Sequence, residues 1–274
     1  MLRGKVIIIT GASSGIGLAS ARLLGAHGNC LVLAARSFDR LEAVAAEILA
    51  DPSTPSETEV LCVRTDVSVE EDCRRMVEQA LARFGRIDIL INNAGLSMRA
   101  LFIDTDLSVI RRLMDVNFWG TVYCTKYALP SILAQKGSVV GVISTAGYAG
   151  LPARSGYSSS KFAVRGFLDT LRIEHVNDGL HVLVFAPGFT TSNVRNAALT
   201  ADGTPQGSSP RDESRMMSAE KVARKLERAI VRRKREVILT FIAHIELFVQ
   251  RHLSRHMDRW AYDYMKREPG SPLK

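Results

Sequence analysis

The sequence predicts a doubly wound α/β fold, a parallel sheet with helices on both faces, and three observations carry that expectation. Short apolar, β-branched runs alternate with amphipathic segments over the first 190 residues. Strands that alternate with helices need right-handed crossovers, and crossovers build parallel sheets covered on both faces. The chain has 274 residues, 46% hydrophobic and 23% charged, a globular composition that excludes a disordered or fibrous chain. That length buries a core without staples. Its cysteines, Cys30, Cys62, Cys73 and Cys124, form no Cys-x-x-Cys pair, so neither a disulfide framework nor a zinc site is expected. The pattern fits a reducing compartment, and a cytoplasmic location is expected.

The elements follow in order. Strands are expected at 5–10, 30–35, 60–64, 87–91, 138–143 and 181–185. Between them, helical patterns run from Leu18 to His27, Val69 to Phe84 and Leu107 to Leu133. A Thr/Ser/Gly/Pro-rich stretch, Thr190 to Pro210, then breaks the alternation. Such stretches are usually functional or disordered, so 190–215 is expected to be a substrate lid. A helix resumes at Ser218, a good N-cap, with Lys221 where a capping box would have Glu. Glu236 to Thr240 closes the sheet, and Phe241 to Met265 reads as a last helix. Residues 1–240 are therefore expected to form one domain and 241–274 a helical extension. No apolar run is long enough to span a bilayer, and the N-terminus has no cleavable signal pattern.

The first strand runs into Thr10-Gly11-Ala12-Ser13-Ser14-Gly15-Ile16-Gly17 and then into a helix. A strand, a glycine-rich turn and a helix N-terminus make an anion site, because glycine lets the backbone approach and free N–H groups point outward. The spacing is G-x-x-x-G-x-G, not the standard dinucleotide G-x-G-x-x-G. The second strand ends at Ala35-Arg36, where NAD-selective sites carry a carboxylate. An arginine suits a 2′-phosphate instead, so NADP is expected over NAD. Asp66-Val67 and Asn92-Asn93-Ala94-Gly95 follow the third and fourth strands, at carboxyl ends where open sheets bind ligands. Asp66 could meet an adenine amino group or N-cap the helix that follows.

The fifth strand ends at Ser144, with Tyr157 thirteen residues later and Lys161 four beyond that. With the glycine loop, Asp66, the Asn-Asn-Ala-Gly run, Asn117 and Pro187-Gly188, this chain resembles the classical short-chain dehydrogenase/reductase family over roughly 4–190. The resemblance implies a single Rossmann-type domain of about seven strands. It also implies hydride transfer between a nicotinamide cofactor and a carbonyl or alcohol. Tyr157 and Lys161 share one helix face. The ammonium is expected to lower the phenol's pKa, letting Tyr157 pass a proton to or from the reacting oxygen. Ser144 would hydrogen-bond the same oxygen. By resemblance, Lys161 would also hold the ribose, and Asn117 a water linking Lys161 to solvent. The implied catalytic residues are Ser144, Tyr157, Lys161 and Asn117. The implied cofactor contacts are Gly11, Ser13, Ser14, Gly15, Ile16, Gly17, Arg36, Asp66, Val67, Asn93, Ala94, Gly95, Tyr157, Lys161, Pro187, Gly188 and Thr190. The family often has Thr five residues after this proline, where Ser192 stands here beside Thr190 and Thr191. No metal is expected.

The resemblance builds the substrate pocket from Leu96, Met98, Ala146, Tyr148, Ala149, Leu151 and Phe189. That set is mostly apolar, so an uncharged, hydrophobic carbonyl or alcohol is the expected substrate. The alternative is a non-catalytic dinucleotide sensor or scaffold of the same fold, against which the complete Ser144, Tyr157 and Lys161 set argues. The net charge of +8 sits almost wholly in residues 211–274, with 16 Lys and Arg against 9 Asp and Glu. No nucleic-acid motif accompanies Arg232-Arg233-Lys234-Arg235, so no nucleic-acid partner is expected. In the last helix Ile242, Ile245, Val249, Leu253, Met257, Trp260 and Tyr264 form one apolar face, with Arg251, Arg255 and Arg259 opposite. The pattern serves a helix that docks on the domain, covers the substrate pocket or pairs in a homo-oligomer, and docking or pairing is expected over peripheral membrane contact through 241–265.

Overall fold

The protein is described by a computed structural model over residues 1–190, 196–207, 216–239 and 254–273, with backbone alone over 254–257. The strands are β1 (Val6–Thr10), β2 (Cys30–Ala35), β3 (Val60–Arg64), β4 (Ile89–Asn92), β5 (Ser138–Val142), β6 (His181–Ala186) and β7 (Glu236–Ile238). Between them lie α1 (Gly15–Gly25), α2 (Phe38–Ala50), α3 (Glu70–Phe84), α4 (Leu107–Leu113), α5 (Gly120–Ala134), α6 (Ser155–Glu174) and α7 (Ala219–Val231). The strands form one parallel sheet in the order β3-β2-β1-β4-β5-β6-β7. β1 and β4 lie side by side, Ile8 opposite Leu90, and the strand order reverses about them. Such a reversal opens a crevice at the carboxyl ends of the strands, where doubly wound sheets take ligands.

The period-two alternation of side chains explains why β1 is apolar throughout. Ile8, with Val32 and Leu90, packs against Met76 of α3, Ala128 of α5 and Leu168 of α6. Ile7 and Ile9 point the other way, onto Leu24 of α1, Leu41 of α2 and Leu226 of α7. Each fully buried side chain of this size stabilises the fold by about 1.5–3 kcal/mol. Ser218 caps α7 as the sequence predicts, its Oγ accepting from the Lys221 N–H at 3.3 Å.

One segment differs from the sequence expectation, and two others are described only in part. The helix expected over Leu107–Leu133 is divided by a π-helical turn, Met114–Trp119, between α4 and α5. That wider turn aims Asn117 into the protein, where it is fully buried. In the expected lid, residues 191–195 and 208–215, including Thr191 and Ser192, lie outside the described residues. Leu199, between them, is pinned to the segment after β4. Its N–H donates to the Ser97 carbonyl and its carbonyl accepts from the Arg99 N–H, both at 2.8 Å. The described part of the last helix is Ser254–Lys266, so the expected Phe241–Leu253 half lies outside the described residues. There Trp260 and Tyr264 stack on each other at 5.3 Å and remain 44% and 42% exposed, while Met265 is buried. In this part of the helix the buried side is therefore not the stripe read from the sequence. Among the described residues no helix is long and apolar enough to cross a membrane.

One buried histidine gives the fold a pH dependence. His181 of β6 has Nδ1 2.9 Å from Ser138 Oγ and Nε2 2.9 Å from the Lys234 carbonyl. A carbonyl only accepts, so Nε2 carries a proton, and in the neutral ring Nδ1 accepts from the hydroxyl. Burial pushes the His181 pKa below the usual value; the hydrogen bond to the Lys234 carbonyl opposes this, and the Arg233 and Arg172 charges add to it. The unfolded chain then takes up the proton first. Stability is complete above about pH 6.5 and is lost as pH falls towards the folded value. Urea midpoints measured from pH 7.5 to 5 should fall more for the unmodified protein than for His181→Gln. Parallel curves would show that His181 is not responsible.

Candidate active site

A cleft of about 390 Å³ opens along the carboxyl ends of β1, β2, β4, β5 and β6. Its floor at β1 is the glycine loop. Gly11 and Gly15 have φ of +67° and +54°, which side-chain-bearing residues rarely adopt. Gly17 is buried behind the loop, and a Cβ there would stand 2.2 Å from the Gly11 carbonyl oxygen. Thr10 and Asn93 clamp the loop to β4. Thr10 Oγ1 accepts from the N–H groups of Asn93 and Ala94, both at 3.0 Å, and Asn93 Nδ2 donates to the Thr10 carbonyl at 2.9 Å. The first turn of α1 has no acidic residue, so its N–H groups and dipole face the cleft uncompensated.

Beyond the loop, Arg36 and Ser37 follow β2 and Arg40 stands in the first turn of α2, all lining the cleft beside Ser13 and Ser14. Among the described residues neither guanidinium meets a carboxylate. Arg40 was not singled out in the sequence, where its signal was a second arginine one helical turn after the first. Asp66 and Val67 also line this end. Asp66 does not N-cap α3: that position is Val69, and the Asp66 carboxylate instead accepts from the Ser68 N–H and hydroxyl at 3.0 and 2.6 Å.

At the other end Ser144, Tyr157 and Lys161 face one space with Gly95, Pro187, Gly188 and Thr190. Lys161 is buried, its Nζ donating to the Val142 carbonyl at 3.0 Å and standing 5.9 Å from the Tyr157 ring centre. Burial pushes its pKa down to about 8, so the ammonium is still charged at neutral pH. Burial pushes the Tyr157 phenol up, while a hydrogen bond with Ser144 and the Arg154 charge pull it down. The Lys161 ammonium, 5.9 Å from the ring centre, favours the phenolate in the sense expected, but burial acts in the opposite direction. Burial is the largest effect, and the Ser144 hydrogen bond and the Arg154 charge offset part of it. Asn117 does not line the cleft. Its Oδ1 accepts from the Leu96 N–H at 2.8 Å, and Nδ2 donates to the Leu96 carbonyl at 3.0 Å and Ser160 Oγ at 2.8 Å. A Cβ on Gly95 would meet Asn117 Oδ1 at 3.1 Å and Lys161 Nζ at 3.3 Å.

The expected pocket list needs correction. Leu96, Leu151 and Phe189 line the cleft, but Met98, Ala146, Tyr148 and Ala149 do not. The 3-10 turn Thr145–Gly147 carries Ala146 into the core, and Tyr148 turns away to donate to Glu236 Oε1 at 2.5 Å under the Arg165 guanidinium. In their place stand Ser97, Arg99, Arg154, Ala197, Ala198 and Gln206. These come from segments brought together only by folding. Among the described residues no cluster of His, Cys, Asp and Glu could hold a metal.

The family model for short chain dehydrogenases matches residues 5–202. The chain belongs to that family. It is 35% identical to a rat protein named dehydrogenase/reductase SDR family member 7B, over 91% of this chain and 78% of that one. A dehydrogenase/reductase SDR family protein 7-like of Anopheles gambiae is 36% identical over 94% of this chain and 82% of its own. An Arabidopsis thaliana protein named 11-beta-hydroxysteroid dehydrogenase 1A is 41% identical over 70% of this chain and 54% of its own. Among solved structures, the alcohol dehydrogenase of the archaeon Thermococcus sibiricus, complexed with 5-hydroxy-NADP, superposes with a TM-score of 0.73. That alignment has 28% identity and covers 86% of this chain and 96% of the archaeal one. This short-chain dehydrogenase is accordingly an oxidoreductase that binds a nicotinamide dinucleotide and acts on small molecules. Its glycine cradle fits that cofactor, since the loop tolerates no Cβ at Gly17 and leaves a helix N-terminus facing the cleft.

Proposed function

We propose that this short-chain dehydrogenase uses NADP(H) to interconvert a carbonyl and a secondary alcohol on an uncharged, hydrophobic substrate. The observation that carries this reading is the continuity of the cleft, from Arg36 and Arg40 past the α1 N-terminus to Ser144, Tyr157 and Lys161. Two guanidiniums without carboxylate partners among the described residues suit a 2′-phosphate, which accepts bidentate charge-assisted bonds. The archaeal enzyme's bound nucleotide and the steroid alcohol in the Arabidopsis relative's name support the same cofactor and substrate class. Leu96, Leu151, Phe189, Ala197 and Ala198 give the substrate end apolar walls, with Ser97, Arg99, Arg154 and Gln206 as its polar lining.

When bound, the cofactor supplies or takes up the hydride. Tyr157 then donates its proton to the carbonyl oxygen in reduction and takes one from the hydroxyl in oxidation. Ser144 hydrogen-bonds the same oxygen and stabilises the charge that develops there. Lys161 holds the ribose hydroxyls and keeps a positive charge beneath the phenol. Asn117 positions this set by bracing Leu96 on one side and Ser160, one residue before Lys161, on the other.

Turnover of a panel of ketones and secondary alcohols tests the reading, with NADPH and NADH compared on each. NADPH should be the better cofactor. Arg36→Ala should raise the Michaelis constant for NADPH about tenfold or more, since a charged hydrogen bond is worth about 1.5–3 kcal/mol. Arg40→Ala should act in the same direction, with NADH little affected by either. An unmodified protein that prefers NADH would overturn the assignment of Arg36 and Arg40.

A further inference from the structure

Arg154 ends the loop that leads into α6, three residues before Tyr157, and lines the cleft with it. It is buried and held on two sides. Nη1 donates to the Met98 carbonyl at 2.8 Å, and Nη2 lies 3.5 Å from Glu268 Oε2. The same carboxylate oxygen is 3.6 Å from Arg99 Nε, and Arg99 Nη2 donates to the Pro269 carbonyl at 2.7 Å. Glu268 is itself only 7% exposed. Burying one charge costs several kcal/mol unless it is paired and fixed, so packing a tail against a surface does not call for such a trio. Glu268 also lies well past residue 202, where the match to the family model ends.

We infer that Arg154 is a positioning residue for the proton step at Tyr157, and that Glu268 sets how much of the Arg154 charge acts there. This rests on Tyr157 being the proton donor. Among the described residues, the charged side chains lining this end of the cleft with Tyr157 are Arg154, just before α6, Lys161 of α6 and Arg99 from the segment after β4, with Glu268 of the C-terminal segment against Arg99 and Arg154; Ser144, just after β5, is neutral. A cation favours the phenolate and a carboxylate disfavours it. The Lys161 ammonium has a hydrogen bond committed to the Val142 carbonyl. The Arg154 charge, at the start of the same helix and lining the same cleft, draws the phenol's pKa down against burial. The two partners therefore act with opposite signs: loss of the guanidinium moves the phenol upward, and loss of the carboxylate charge moves it downward.

The test is the pH profile of kcat/KM for alcohol oxidation, which rises as the phenol loses its proton. Arg154→Met should move that limb up by about one pH unit. Glu268→Gln, which keeps the side-chain volume, should move it down, and Arg154→Lys should stay near the unmodified protein. The ¹³Cζ resonance of Tyr157, assigned by its loss in Tyr157→Phe, reads the same shifts without turnover. This second readout decides the proposal even if no panel substrate reacts, an outcome that would count against the Tyr157 reading instead. Glu268→Gln also stands alone if Arg154→Met does not fold. Shifts of the same sign in both variants, or no shift in Glu268→Gln, would overturn it.

Discussion

Tyr157→Phe should lower turnover by about 10²–10⁴-fold, the usual contribution of a positioned general acid or base. Nicotinamide dinucleotide affinity should stay within about twofold, a change of under 1 kcal/mol. The substitution removes one oxygen and keeps the ring, which packs beside Leu96 and Leu113. A phenol is protonated at neutral pH and burial strengthens that preference, so it is poised to donate in reduction. In oxidation the same burial works against the base form, and the pull from Ser144 and Arg154 has to offset it. Steady-state rates beside a fluorescence titration of NADPH separate the two quantities. Residual activity above a tenth of the unmodified enzyme would remove Tyr157 from the proton step. Equal losses of turnover and cofactor affinity would instead indicate a collapsed cleft.

Gly17→Ala should weaken dinucleotide binding far more than its size suggests. The new methyl would stand 2.2 Å from the Gly11 carbonyl oxygen, 2.7 Å from Asn93 Nδ2 and 2.9 Å from the Gly11 carbonyl carbon. Two of those atoms are backbone, so relief requires the loop itself to move. Overpacking of that kind costs about 1–3 kcal/mol. If the strain falls on the bound form, affinity drops by about 5- to 150-fold. Gly166→Ala is the control, because nothing lies within 4 Å of a Cβ at that exposed position of α6. It should leave binding unchanged and raise stability by about 0.5–1 kcal/mol, the usual gain of alanine over glycine in a helix. Calorimetric binding and thermal melts of both variants check this. Normal affinity in Gly17→Ala would mean that the loop is not the phosphate cradle.

Local chemistry made much of this legible beforehand. The alternation of β-branched runs with amphipathic segments gave the strand positions, because a strand buried on both faces has to be apolar throughout, as Ile7, Ile8 and Ile9 are. Gly11 and Gly15 could be placed at a tight βα turn because only glycine sits comfortably at positive φ. The four-residue step from Tyr157 to Lys161 put both on one face of α6. The break at Asn117 was not legible, since a π turn has no composition of its own and its cause is the fit of Asn117 against Leu96 and Ser160.

What the sequence determined by itself was the order of elements and the residues whose role is fixed by neighbours a few positions away. Tertiary structure decided everything that depends on segments far apart in the chain. Arg99 and Arg154 lie 55 residues apart, and Glu268 another 114 beyond, yet one carboxylate oxygen sits between the two guanidiniums. Tyr148 and Ala146 follow Ser144 closely but turn into the core, because a 3-10 turn and Glu236 of β7 draw them there. The direction of the Tyr157 shift was hidden for the same reason. The helical spacing shows which charges are near the phenol along α6, whereas burial, the larger effect, is set by every segment that closes over it.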